Sequence, residues 1–157
     1  MSMIAVTGPR HLAPAQRQAA TQQLRRLLSS TDVLHVGDAE GLDLLARSVG
    51  LNTGANISLH EKNPKLPWKA QGAERSTRMI KALAATGGTL HAWPAQPVPL
   101  DLKPCRNWPN GAGGSGTWGT IALAVGLGVP VELHPLTDDA IAPAWMPSTE
   151  ARQLQLI

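Results

Sequence analysis

Four glycines, Gly111, Gly113, Gly114 and Gly116, fall within six residues and run straight into the apolar segment 117–130. Glycine reaches backbone conformations closed to other residues and lets the main chain approach a ligand closely. Ile121, Ala122, Ala124, Val125 and Leu127 recur at helical spacing, so a helix is expected to begin at Thr117. A helix start offers unpaired N–H groups and a partial positive charge, and glycines ahead of it make an anion site, most often for phosphate. One such glycine would read as a loop that merely needs flexibility; four ahead of a helix favour the cradle. Gly113, Gly114, Ser115, Gly116 and Thr117 are therefore candidate ligand contacts, the two hydroxyls adding donors. Gly114-x-Gly116-x-x-Gly119 has the spacing of a dinucleotide fingerprint. It lies late in the chain, not after the first strand, so it is not read as one. No Gly-Lys-Ser/Thr follows, which excludes a P-loop.

Other residues carry charge to the same chemistry. Arg10 follows Gly8-Pro9 and can clamp a phosphate through its planar fork, or stand exposed in a turn. Asp38, Glu40 and Asp43 form an acidic trio just after Gly37. They can meet ribose hydroxyls or a cation, or serve the first turn of a helix, where acids are favoured; capping suits Asp43 best. Arg75 and Arg78 stand three apart and share a helix face, with Arg75 the better candidate contact. Trp118 either flanks a base or packs in the core. His35, His60, His91 and His134 each lie near the end of a different expected strand. Convergent strand ends would gather them for a metal or a proton transfer, but hydrogen-bonded, scattered histidines are the default, and no metal is expected.

These residues need a scaffold. The chain has 157 residues and 43% hydrophobic content, enough for one domain with a core, and it lacks Phe and Tyr. The core must draw on Leu, Ile, Val, Ala and some of the Trp. A single Cys105 excludes an internal disulfide and fits a reducing compartment. No run suits a signal peptide or a membrane span, so a cytoplasmic protein is expected, with no membrane partner. The net charge of +3 is mild. Lys62, Lys65, Lys69, Arg75, Arg78 and Lys81 nevertheless cluster, either as a solvated helix face or as an anion-facing patch.

Short apolar runs at 3–7, 33–36, 57–60, 89–93 and 129–133 read as strands. Helices are expected from Pro14 to about Leu28, from Leu42 to Val49, from Gln71 to Ala85 and from Thr117. Residues 94–112, with Pro94, Pro97, Pro99, Pro104 and Pro109, form a long irregular loop and suggest a lid. Alternating strands and helices imply an α/β, Rossmann-like three-layer sandwich, its mostly parallel sheet of about five strands covered on both faces. Ligands in such folds meet the carboxyl ends of the strands. The loops at 8–11, 37–43, 61–69 and 111–117 should converge there. Residues 1–134 read as the nucleotide-binding domain. Residues 135–157 read as an extension packing on it or on a partner subunit.

The motifs Thr7-Gly8-Pro9-Arg10, Gly37-Asp38-Ala39-Glu40-Gly41-Leu42-Asp43, Glu74-Arg75-Ser76-Thr77-Arg78-Met79 and Gly113-Gly114-Ser115-Gly116-Thr117, in this order, resemble the SLOG superfamily. The likeness spans residues 3–134 and is greatest to its small bacterial YspA-type members. The superfamily also holds the Lonely Guy phosphoribohydrolases, DprA and the molybdenum-cofactor carriers. The resemblance implies a stand-alone sensor or carrier of a nucleotide-type ligand, with no further cofactor, and a homodimer. It implies two alternatives: a nucleoside-monophosphate phosphoribohydrolase, and a DNA-binding accessory protein, the latter not favoured. In the hydrolases an arginine from the third-helix motif, matched by Arg75, works with a glutamate whose position is Thr120 here. A hydroxyl cannot replace that carboxylate, so hydrolysis would need Glu74, Glu40 or Asp43 instead.

Overall fold

The computed structural model describes residues 1–147. Among these, five strands form one parallel sheet in the order β3-β2-β1-β4-β5: β1 Met3–Thr7, β2 Val33–Gly37, β3 Asn56–His60, β4 Thr89–Ala92 and β5 Val131–Leu133. Between them run α1 Pro14–Leu28, α2 Leu42–Thr53, α3 Trp68–Thr86 and α4 Gly116–Gly126. This is the expected Rossmann-like α/β architecture. Alternation along the strands divides the core. Ile4, Val6, Leu34, Val36 and Trp93 pack against α1 and α2, while Ala5, Leu90 and Ala92 pack against α3 and α4. No helix of the described residues is long and apolar enough to cross a membrane.

Several element boundaries differ from the sequence expectation, each for a local reason. α3 starts at Trp68, right after Pro67, because its first turn is exposed and adds nothing to the apolar stripe that marks a helix. α2 continues through Gly50, where a side chain would press on Leu34 and Ile57, and stops only at left-handed Gly54. β5 begins after Pro130, which lacks an N–H yet still accepts from the Leu90 amide at 2.9 Å. α4 begins at Gly116, one residue early. Ser115 is its N-cap, accepting from the Trp118 amide at 3.1 Å.

The proline-rich segment 94–112 is bound down, where a lid had been expected. Leu102 is buried, the Cys105 amide donates to the Ala122 carbonyl, and the Gln96 carbonyl accepts from the Trp118 indole at 2.8 Å. Gly119 and Gly126, seven apart on α4, make this possible. A Cβ on the first would strike the Trp108 ring, and one on the second would strike the Cys105 backbone. Of the extension, Ala140, Trp145 and Met146 join the α3/α4 core and Leu136 joins the α1/α2 core. Residues 148–157 lie outside the described residues.

The contact at Gly119 has a measurable sign. Ala is normally favoured over Gly inside a helix by about 1 kcal/mol. Gly72 in α3 has nothing near its missing Cβ, so Gly72→Ala is expected to stabilise the protein. Gly119→Ala should instead destabilise it by roughly 1–3 kcal/mol, the cost of overpacking. Urea unfolding of the two variants checks the opposite signs.

Candidate functional site

The strand order reverses direction between β1 and β4, and at such a switch the loops on either side part to leave a crevice. Here that crevice is a cavity of about 690 Å³. One wall is the turn after β1, with Thr7, Gly8, Pro9 and Arg10. The opposite wall is the start of α4, with Gly114, Ser115, Gly116 and Thr117. α3 contributes Trp68, Lys69, Arg75 and Ser76, and Trp108 closes the end of the bound-down segment. A more open depression of about 450 Å³ beside residues 133–142 has Asp138 as its one charged lining side chain.

The α4 wall is built to stay open. Gly113 and Gly114 have φ of +61° and +80°, in the region that L side chains rarely adopt. Nothing lies within 4 Å of where a Cβ would stand on Gly114 or Gly116. The amides at the start of an eleven-residue helix therefore border the cavity without side-chain obstruction. Gly8 and Gly41 serve packing: a side chain on the first would collide with Leu42, and one on the second with the backbone at Pro9 and Arg10. The 8–11 and 41–43 turns thereby lie against each other, joined by the Leu42 amide donating to the Pro9 carbonyl at 3.0 Å.

Arg75 reaches the cavity through a constrained route. Its guanidinium donates to Asp38 at 2.9 Å, with both side chains largely buried. A Cβ on Gly37 would fall 2.7 Å from an Asp43 carboxylate oxygen and 3.1 Å from Arg75 Nε. The bare end of β2 is thus a space that both the acid and the guanidinium border. Burial opposes ionisation of Asp38, but the Lys62 amide, the Arg75 hydrogen bond and the Arg75 charge outweigh it and hold its carboxyl below the usual range. Asp43 is 7% exposed. Burial raises its pKa to about 6, against the opposing pull of Arg75, the Ala39 amide and Arg47.

The remaining sequence candidates separate. Asp43 lines the cavity, while Gly37 and Asp38 stand behind it, holding Arg75. Glu40 is exposed and does not line it. Glu74 and Arg78 form an exposed i,i+4 pair at 2.9 Å, and Arg78 also donates to the Glu61 carbonyl, so neither faces the crevice. Trp118 is fully buried, which settles it as core. Thr120 is fully buried too, its hydroxyl donating to the Gly116 carbonyl at 2.7 Å. Lys62 and Lys69, from the cluster read as either a solvated face or an anion-facing patch, line the cavity, and so do Trp68 and Trp108, which were not expected there. The lysines were visible as a charge cluster; the tryptophans gave no signal of facing.

Four of the five histidines form two pairs on opposite faces of the sheet. His35 and His60 stand 3.0 Å apart on the α3 side, as do His91 and His134 on the α1 side. Burial lowers the pKa of His35; burial first, then the neighbouring cations, lowers that of His60.

No protein-family model and no curated protein matches the chain. Solved structures share its fold, two of them DNA processing proteins. One is DNA processing protein A (DprA) from Streptococcus pneumoniae, with TM-score 0.57 and 15% identity over 99% of this chain and 56% of the other. The second is DNA processing protein A from Helicobacter pylori, described for its single-stranded DNA binding mode, with TM-score 0.57 and 16% identity over 99% of this chain and 72% of the other. The chain spans little more than half the length of the first. The chain shares the fold of the part of DprA that it covers.

Asp43 supplies a pH test. Its folded pKa lies above the ordinary 3.8 of an exposed Asp, so its contribution to stability is full below pH 3.8 and lost as pH rises through about 6. Asp43→Asn removes that slope. The stability of the parent relative to this variant should fall by roughly 2 kcal/mol between pH 4.5 and 7.5. Chemical denaturation of both proteins at the two pH values measures it.

Proposed function

We propose that the protein binds a nucleotide or nucleotide derivative through its phosphate group. The observation that carries this reading is the charge lining of the cavity. Arg10, Lys62, Lys69 and Arg75 face one acid, Asp43, across unobstructed amides at the start of α4. Amide donors and the helix dipole favour an anion, and the cations add to the same field. Trp68, 77% exposed, and Trp108 supply flat apolar surface for a base. The volume suits a mononucleotide-sized ligand. This matches the nucleotide-type ligand that the SLOG resemblance implies, with a sensor or carrier role. A hydrolase role would rest on Asp43, the one carboxylate lining the cavity among the described residues.

Isothermal titration with AMP, ADP, ATP and a nucleotide sugar tests the proposal. At least one is expected to bind saturably. Gly114→Asp, which strains a positive φ and places a carboxylate in the cradle, should weaken binding by at least tenfold, or about 1.4 kcal/mol, while circular dichroism keeps the parent spectrum. Failure of the whole panel to bind would overturn the reading.

A second reading is favoured by Trp68 itself. It opens α3 as a largely exposed ring, with Lys69 Nζ 5.8 Å from its ring centre and Lys62 on the same rim. An aromatic platform beside cations suits a single-stranded nucleic acid whose phosphate enters the cradle, and one fold neighbour is described by its single-stranded DNA binding mode. In this case oligo-dT binding should weaken steeply with salt. Trp68→Ala should then cost roughly 1–3 kcal/mol, the worth of one stacked base. Fluorescence anisotropy with labelled oligo-dT, beside the mononucleotide titration, separates the two readings.

A further inference from the structure

The sheet carries a second cluster of chemistry on its other face. β4 and β5 pair in parallel, with His91 opposite Glu132. His134 follows at the end of β5, its amide donating to the Ala92 carbonyl at 2.8 Å. Nδ1 of His91 and Nε2 of His134 lie 3.0 Å apart, and Oε2 of Glu132 lies 3.7 Å from His91 Nδ1. One ligand atom from each of the three residues lies within 4.8 Å of the others.

We propose that His91, Glu132 and His134 form a binding site for a divalent transition-metal ion, zinc foremost, with one coordination position open to water. Two imidazoles and a carboxylate are a ligand set that zinc takes where it keeps an open place. Nitrogen ligands about 2.0–2.1 Å from a tetrahedral ion stand roughly 3.3 Å apart. The observed nitrogen separation needs a shift of only tenths of an ångström to meet that, and Glu132 closes in from a similar distance. The proton balance is simple. Both rings are neutral ligands, with the proton of His91 on Nε2 and that of His134 on Nδ1, so the proton bridging them moves to a far ring nitrogen and none is released.

The support is rigid on one side and open on the other. The His134 ring stacks on Trp93 with centroids 4.5 Å apart, and the Trp93 indole donates to Gln23 of α1 at 2.7 Å. His91 is buried, whereas Glu132 is half exposed and leaves the outer position to solvent. The His35–His60 pair has the same nitrogen separation, but no carboxylate completes it among the described residues, and Arg78 and Arg75 place positive charge near His60. It serves as the internal control.

The test uses the full chain without a histidine tag, stripped with chelator and dialysed. Zinc titration by calorimetry is expected to give one ion per chain, and cobalt(II) should develop the visible bands of a four-coordinate ion. Loss of even an outer partner of a metal ligand costs about 10–100-fold in affinity, so Glu132→Gln and His134→Gln should each cost at least that. His35→Gln should leave binding unchanged. Glu132→Gln alters a half-exposed side chain and decides the matter if His134→Gln fails to fold. Absence of stoichiometric binding, or equal binding by parent and Glu132→Gln, would overturn the proposal.

Discussion

The Arg75–Asp38 pair at the bare end of β2, with Asp43 bordering the same space, is the constraint on which the site depends. Asp38 takes the guanidinium directly, and Asp43 sits across the space that a side chain on Gly37 would fill. Arg75 belongs to α3 and Asp43 to α2, and these helices cover opposite faces of the sheet. The cluster therefore ties both layers to the strand ends and fixes the floor of the cavity. Its energetics are asymmetric. Asp38 is tolerated in partial burial because Arg75 pairs with it, and the same charge acts on Asp43, so removing that cation would leave uncompensated charge. Asp43, the deeper of the two, already shows the strain of desolvation in its raised pKa.

Much of this was legible in the chain because strands and helices leave different periodic marks. The five apolar runs, the helix stripes and their alternation specify the layers, and the layers specify where loops converge. The open turn ahead of α4 was legible too, since glycines before a helix start leave its first amides without side-chain cover, although Gly111 proves to serve packing against the Asp101 backbone. Facing was not legible. Arg75 and Arg78 share a helix side by spacing, yet one reaches the crevice and the other pairs outward with Glu74. The difference is set by Asp38 and Glu61, residues far away in sequence. Adjacency was likewise hidden. That His35 meets His60 and His91 meets His134 follows from strand order, which periodicity does not encode.

The proline-rich segment shows how composition misleads about motion. Its prolines and lack of periodicity suggest a mobile cover. Its packing is set in another element: Gly119 and Gly126 leave a shallow track along α4 into which Trp108 and the Cys105 backbone settle. Glycines that look like weak points of a helix are its receiving surface. The same helix thus offers its first amides to the cavity and its side to the segment that walls it.

The strand order also bears on how the molecule is made. β1 lies at the centre of the sheet, hydrogen-bonded on one flank to β2 and on the other to β4. During synthesis the trio β1, β2 and β3 can assemble early with α1 and α2, leaving one edge of β1 unsatisfied until Thr89–Ala92 emerges. That delayed long-range closure is slow in parallel sheets and exposes a sticky margin meanwhile. Nascent chains halted before β4 would carry that margin open, and holding it apart from neighbouring copies is a task that falls to chaperones.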